Sequence, residues 1–315
     1  MAQAKVKKQK QDVDLTTLMQ KFSSEETCRA YLEHLRWHDD VKCLECGSDK
    51  ISHIYTRAGM YVCDACDYQF SVKVGTIFHN SHLPLTKWFL AVYLMCEAKK
   101  GVSALQLKRT LGVAYKTAWY LCHRIRAAVA DADTSLLSGV VECDETYIGG
   151  KAKNMHAKER AEKIQGRGTV NKAMVLGAIQ RGGGVRLVTD KRADRETLHK
   201  FLKAALADET ECVMTDTLPA YAGIADENTR HETVNHHLGE YVRGECHTNS
   251  VEGVWSLFKR SIVGSYHQIS VKHLDRYLDE FEFRFNNRNN PYLFRDTLLR
   301  LINSTNLEYK DLTAA

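Results

Sequence analysis

Only 3 of the 315 residues are proline, and no apolar run approaches the roughly 18 residues that a membrane-spanning helix needs. A chain so poor in proline, with 44% hydrophobic residues, is neither a disordered linker nor a fibrous repeat. Its length accommodates two or three domains with cores of their own. The opening MAQAKVKKQKQDVD has no hydrophobic segment behind its lysines, so a secretory leader is not expected. Neither charge dominates: 44 Lys and Arg face 39 Asp and Glu, and the resulting +5 suits a polyanionic partner without requiring one. Disulfides are not expected, since the missing leader points to a reducing compartment. The 10 cysteines divide instead into four in paired C-x-x-C and six scattered ones, Cys28, Cys96, Cys122, Cys143, Cys212 and Cys246.

The paired cysteines are Cys43, Cys46, Cys63 and Cys66, in CLEC and CDAC. Two such knuckles supply four thiolates to one tetrahedral zinc ion. The residues around them (ISHIYTRAGMYVC, YQFSVKV) alternate as strands of a small ribbon do. So short a segment cannot bury enough apolar surface alone, so bound metal is expected to stabilise it. Before the ribbon, SSEETCRAYLEHLRW reads as a short helix opened by a capping box from Ser23 to Glu26. After it comes an apolar helix, then GVSALQLKRTLGVAYKTAWYLCHRIRAAV, with a second capping box at Ser103 and Gln106 and a break at Gly112. Helix, glycine-containing turn and helix from Tyr115 onward is the pattern of a helix-turn-helix, with Lys116, Arg124 and Arg126 expected on the exposed face of its second helix. Helical hairpins that never touch DNA share this pattern.

ADADTSLLSG reads as a linker, and beyond it the periodicity turns to strands. GVVECDETYIGG, KAMVLGAIQR and GVRLVTD are three of them. A helix in DRETLHKFLKAALAD follows, then strands in ECVMTDTLPAY and HETVNHH, and two closing helices. That is an α/β order. Residues 151–172, between the first two strands, hold seven basic residues against two acidic ones. Such a segment fits either an ordinary solvated loop or an arm that orders on a polyanion.

Three acids stand out by position. Asp144 lies within the first strand, Asp216 ends the fourth, and Glu252 is on the helix after the fifth. Carboxylates gathered at a sheet and a neighbouring helix provide the oxygen ligands that Mg²⁺ prefers. Two such ions about 3.5–4 Å apart can activate a water or a 3′-hydroxyl and stabilise the leaving oxygen in phosphodiester chemistry. Glu142, two residues before Asp144, shares its face and is a rival; Glu145 points to the other face. On a helical projection of CHTNSVEGVWSLFK with Glu252 at zero, Val251, Val254, Trp255, Phe258 and Ile262 span about −160° to −60°. Lys259 falls at about −20° and Asn249 at about +60° on the same projection. Glu252 thus borders the buried stripe with a cation beside it, although a surface Glu and Lys next to a core stripe would look the same.

Read together, ECDETYIGGK, MTDTLPAY and HTNSVEGVWSLFKR resemble the catalytic core of bacterial insertion-sequence DDE transposases, which have a ribonuclease H-like fold. Thirty-five residues separate Asp216 from Glu252, matching the D-35-E spacing, and Lys259 matches the basic residue seven positions on. YLEHLRWHDDVKCLECGS and CDACDYQFSVKVGTIFHNSHLPLTKWF are similar to the zinc-ribbon subgroup related to the Merlin transposons. The resemblance, over roughly residues 15–300, implies a multidomain α/β chain. The expected parts are a basic arm and helix (1–37), a zinc ribbon (38–74) and a helix-turn-helix region (75–135). A ribonuclease H-like mixed five-stranded domain (136–302, basic insertion 149–172) and a tail (303–315) follow.

It further implies that Asp144, Asp216 and Glu252 hold catalytic Mg²⁺ or Mn²⁺, while zinc occupies the four cysteines. Asn249 is the second choice for the third ligand, since some members are described with Asn there. Lys259 would pair with a DNA phosphate, and Lys116 and Arg124 would contact DNA. The implied partners are double-stranded DNA, as transposon ends and target, and a second copy of the chain on that DNA; no membrane is involved. The implied setting is the bacterial cytoplasm at the nucleoid. The implied activity is cleavage at the ends of the element and joining of the 3′-hydroxyls to target DNA. The alternatives are a transposase-derived transcription regulator without catalysis and a metal-dependent nuclease of the same fold.

Overall fold

The computed structural model describes residues 13–38, 40–130, 135–149, 156 and 172–314. The lysine-rich arm and most of the basic segment 149–172 lie outside the described residues. The chain forms two compact units, Met1–Ala132 with Asn287–Ala315, and Asp133–Asn286.

The first unit begins with helices α1 (Leu15–Lys21) and α2 (Glu25–Trp37). The capping box of α2 sits one residue beyond its expected place. Ser24 Oγ accepts from the Thr27 N–H at 3.2 Å, and Thr27 Oγ1 accepts from the Ser24 N–H at 3.3 Å. Ser24, with extended backbone at φ −131°, is the residue that turns the chain into the helix. An antiparallel ribbon follows, β1 (Ile51–His53), β2 (Tyr61–Cys63) and β3 (Gln69–Phe70), then α3 (Leu85–Glu97), α4 (Ala104–Leu111) and α5 (Tyr115–Val129). Ser103 caps α4 through the Gln106 N–H, and Gly112 ends it in the left-handed region at φ 61°, as a tight inter-helix turn requires.

Two expectations need correction in this unit. Helix α9 (Leu293–Asn303) was expected inside the catalytic domain, with the tail after it. Its apolar stripe of Phe294, Leu298, Leu301 and Ile302 instead joins the core of Phe22, Leu32, Trp88 and Phe89. Arg124, expected on an exposed face, is 4% exposed, and Arg126 is buried too. The Arg124 guanidinium donates to the His79 carbonyl at 2.9 Å and to Asn306 Oδ1 at 2.8 Å, and lies over the Trp88 and Tyr120 rings. From Ala118 to Val129 every residue of α5 is buried or half-buried, so only its first turn, Tyr115, Lys116 and Thr117, is exposed.

The second unit is built on β4 (Leu137–Ile148), β5 (Ala173–Gln180), β6 (Val185–Asp190), β7 (Leu206–Asp216) and β8 (Arg230–Val234). Their order in the sheet is β6-β5-β4-β7-β8; β4, β5 and β6 pair antiparallel, while β7 and β8 add parallel to β4. This is the expected ribonuclease H-like sheet. Alternation along β4 sends Val141 and Cys143 to one face, with Leu198 and Leu202 of α6 (Arg195–Ala205). Ile148 goes to the other, against Val251, Val254, Trp255 and Phe258 of α7 (Asn249–Ser261) and Leu278 and Phe281 of α8 (Leu274–Asn286). A small hairpin, β9 (Val242–Arg243) and β10 (Cys246–His247), leads into α7. Among the described residues no helix is long and apolar enough to cross a membrane.

The burial of Arg124 sets a test. Replacing it with methionine is expected to cost the first unit about 2–3 kcal/mol, since the charged hydrogen bonds of a buried guanidinium are lost. Lys116→Met, at the exposed turn and over the Tyr309 ring, is expected to cost under about 1 kcal/mol. Denaturant unfolding of the DNA-free protein reads both.

Candidate metal centres

The two knuckles of the ribbon repeat one backbone plan. The Gly47 N–H donates to the Cys43 carbonyl at 3.0 Å and the Asp67 N–H to the Cys63 carbonyl at 2.9 Å. The Cys43 and Cys63 N–H groups donate to the carbonyls of Ser48 and Tyr68. Gly47 and Asp67 both take positive φ, the turn each knuckle needs to fold its second sulfur back beside the first. Across the knuckles, Cys43 Sγ lies 3.6 Å from Cys66 Sγ, and Cys46 Sγ lies 3.6 Å from Cys63 Sγ. Zinc–sulfur bonds of about 2.3 Å in a tetrahedron separate the sulfurs by about 3.8 Å. The donor set and its spacing fit that ion.

The second centre is acidic. Pairing of β4 with β7 runs as far as Glu142 opposite Met214, and β4 then continues alone on that side. Asp144 and Glu145 therefore stand beside the end of β7, where Asp216 is the last residue. Carboxylate oxygens of Asp144, Glu145 and Asp216 lie within 4.8 Å of one another. Each is oriented by a donor. The Trp255 indole N–H reaches Asp144 Oδ2 at 2.9 Å, the Tyr221 hydroxyl reaches Glu145 Oε2 at 3.3 Å, and the Leu218 N–H reaches Asp216 Oδ1 at 3.0 Å. Burial, then the charges of Glu145 and Asp216, push the Asp144 carboxyl up to about 7, against the pull of Trp255. Burial and Asp216 also raise Glu145. Three partly buried carboxylates this close together, two of them with raised affinity for protons, suit a divalent cation, which relieves the same repulsion.

Of the five residues expected at the catalytic centre, the structure brings Asp144 and Asp216 together. Glu252 is outside the group: its side chain is 51% exposed, 3.7 Å from His236 Nε2, and accepts from Thr248 Oγ1 at 3.4 Å. Asn249 is exposed at the start of α7, where its N–H donates to His247 Nδ1 at 3.4 Å, and Lys259 is exposed further along. Glu145 is the member that strand alternation set aside. Its side chain does leave by the Tyr221 face, but past the end of β7 no described strand pairs with β4 on that side, and acids from both faces converge there. The acidic run ECDE within one strand was its signal.

Glu142, the rival to Asp144, is fully buried and committed elsewhere. It accepts from Arg181 Nε at 2.6 Å, Ser250 N at 2.6 Å, Ser250 Oγ at 2.9 Å and Val251 N at 3.1 Å, with His247 Nδ1 at 3.2 Å. It thereby satisfies the free amides at the start of α7 and fixes that helix to β4.

The raised Asp144 carboxyl gives a pH dependence with a definite sign. A folded value of about 7 above the ordinary 3.8 means that the folded state holds this proton more tightly than the unfolded chain does. Its contribution to the metal-free protein is fully present below pH 3.8 and is lost as pH rises through about 7. Unfolding midpoints of metal-free protein are expected to fall over that window, the fall to vanish in Asp144→Asn, and Mn²⁺ to restore the midpoint at neutral pH.

Comparison with known proteins accords with both centres. Residues 136–286 match the model of the ISXO2-like transposase domain, and residues 23–69 match the transposase zinc-ribbon domain. A protein in the transposable element ISH50 of Halobacterium salinarum is 32% identical over 272 residues, covering 84% of this chain and 91% of that protein. A chain in the cryo-EM structure of a simian T-cell lymphotropic virus intasome with the PP2A regulatory subunit B56 gamma aligns at 17% identity. It covers 62% of this chain and 65% of that one with a TM-score of 0.31, too slight a likeness to build on. The identity and near-complete overlap with the ISH50 protein, and two domain matches that each contain one of the two candidate metal centres, settle the kinship: the chain belongs to the ISXO2-like transposase family.

Proposed function

We propose that this transposase cuts the phosphodiester at the ends of its element and joins the freed 3′-hydroxyls to target DNA, using divalent cations at the acidic centre. The observation that carries the reading is the convergence of Asp144, Glu145 and Asp216 at one sheet margin. Mg²⁺ or Mn²⁺ bound there supplies charge stabilisation to an in-line displacement at phosphorus and activates the attacking oxygen. Asp144 and Asp216 would hold the ions, and Glu145 is the third carboxylate in place. Glu252 remains a candidate ligand because it stands on α7, the helix whose Trp255 touches Asp144; Asn249 is the alternative on the same helix. Lys259 would meet a phosphate near the cut as a point charge. The ribbon, with zinc at its four cysteines, and the exposed first turn of α5 with Lys116 would read the inverted repeats. Acting on two ends at once implies two copies on DNA.

Nicking and joining of DNA that carries the element's ends, with Mg²⁺ or Mn²⁺, tests the chemistry. Asp144→Asn and Asp216→Asn are expected to lower nicking by more than about 100-fold, beyond the loss of an outer-shell partner. Glu145→Gln and Glu252→Gln, compared side by side, rank the third ligand: the one with the larger loss is the one that holds the ion. End binding without nicking in wild type would favour a regulator, and nicking without joining a nuclease. Removing zinc with a chelator is expected to unfold the ribbon and weaken end binding while Mn²⁺ uptake at the acidic centre persists; a chelated protein that binds ends normally removes the ribbon from recognition.

A further inference from the structure

Gly177 lies in the middle of β5 and pairs across the ladder with Asp144. A glycine inside a strand weakens it and calls for a reason. The reason is a close approach: a Cβ at this position would stand 2.4 Å and 2.5 Å from two carbons of the Trp255 ring. The missing side chain is therefore the seat of the indole. Seated there and 4% exposed, the ring directs its N–H to Asp144 Oδ2 at 2.9 Å. An indole N–H is a donor only, and any carbonyl would satisfy it. In this fold its acceptor is a carboxylate of the acidic centre. The helix that carries the ring is fixed to the same strand by Glu142, two residues before Asp144.

We propose that Trp255 is a positioning residue of the cation site, holding Asp144 in its binding orientation, and that Gly177 is the cradle that makes this possible. The inference rests on the reading of Asp144, Glu145 and Asp216 as a divalent-cation site. Outer-shell donors of this kind fix the direction of a ligand, so that the ion does not have to order it on binding. Trp255 touches Asp144 and not the reacting atoms, so it acts through the acid.

The test uses the full chain and Mn²⁺ alone, followed by calorimetry and by the electron paramagnetic resonance of free Mn²⁺. Wild type is expected to take up Mn²⁺ and Asp144→Asn to lose that uptake. Trp255→Phe keeps an aromatic ring over Gly177 and removes the N–H; it is expected to fold as wild type by circular dichroism and to bind Mn²⁺ about 10–100-fold more weakly. A purely structural tryptophan would lower the unfolding midpoint and leave Mn²⁺ affinity unchanged, and a folded Trp255→Phe protein with wild-type affinity overturns the proposal. Should that variant not fold, ¹⁵N-labelled tryptophan decides in the native sequence. The Trp255 indole resonance is expected to shift in Asp144→Asn and on addition of Mg²⁺, and a resonance indifferent to both overturns the proposal. A wild type that binds no more Mn²⁺ than Asp144→Asn overturns the cation-site reading itself, and this inference with it. Intact uptake in both wild type and Trp255→Phe overturns this inference alone.

Discussion

A carboxylate with no solvent exposure at the start of α7 is the interaction on which the acidic centre depends. Taking an ion out of water costs several kcal/mol unless its lone pairs are met, and removing one partner of such a group is more damaging than never having it. Glu142 is met by Arg181, by the hydroxyl and amide of Ser250, by the amide of Val251 and by the ring of His247. Two of these are amides that a helix leaves unsatisfied at its first turn, where its dipole also favours negative charge. Arg181 in turn donates to the carbonyls of Glu245 and His247, so the segment entering the helix is held by the same ion pair. One strand residue thus fixes the rotation and height of α7 on the sheet. Trp255 meets Asp144 because α7 is fixed there.

Against this satisfied acid stand three that are not. Asp144, Glu145 and Asp216 oppose one another with hydrogen-bond donors but, among the described residues, without the guanidinium that Glu142 has, and Asp144 and Glu145 answer by holding protons more tightly. Glu142 and Asp144 are two residues apart on the same face of one strand, yet among the described residues one is met by a guanidinium and the other only by a neutral indole N–H. That difference separates a structural carboxylate from a candidate ligand more sharply than burial does.

Much of this was legible in the order of residues. The C-x-x-C pairs announce a tetrahedral site because the ligand spacing is local, and the five strands show because alternation is local as well. Asp144 and Asp216 could be named because each sits at a recognisable place on a strand. What escaped depends on contacts between distant segments. Glu145 joins the cluster only because β7 stops two residues past Met214, so that no described strand separates it from Asp216. Glu252 was placed correctly on its helix, but the direction of its side chain is decided by Thr248 and His236 on the preceding segment. Arg124 has the period of an exposed residue and is nevertheless covered by residues around His79 and Asn306.

The same dependence on distant chain shapes the first unit, which the second interrupts. Residues before Ala132 and after Asn287 share one core, in which Phe294 packs against Phe22 and Phe89. Tyr120 on α5 donates to the carbonyl of Leu307, and Tyr309 closes over Lys116 and Trp119. The face that α5 would otherwise offer to solvent is thereby taken by the last residues of the chain. A helix covered in this way cannot lie lengthwise in a DNA groove; it can present only its first turn, where Tyr115, Lys116 and Thr117 remain exposed and the free amides of a helix start are found. Recognition by this element would be end-on, and its footprint correspondingly short. On the proposed function the ribbon would then supply the rest of the contact with the inverted repeat, and zinc at its four cysteines would stabilise the fold that makes that contact.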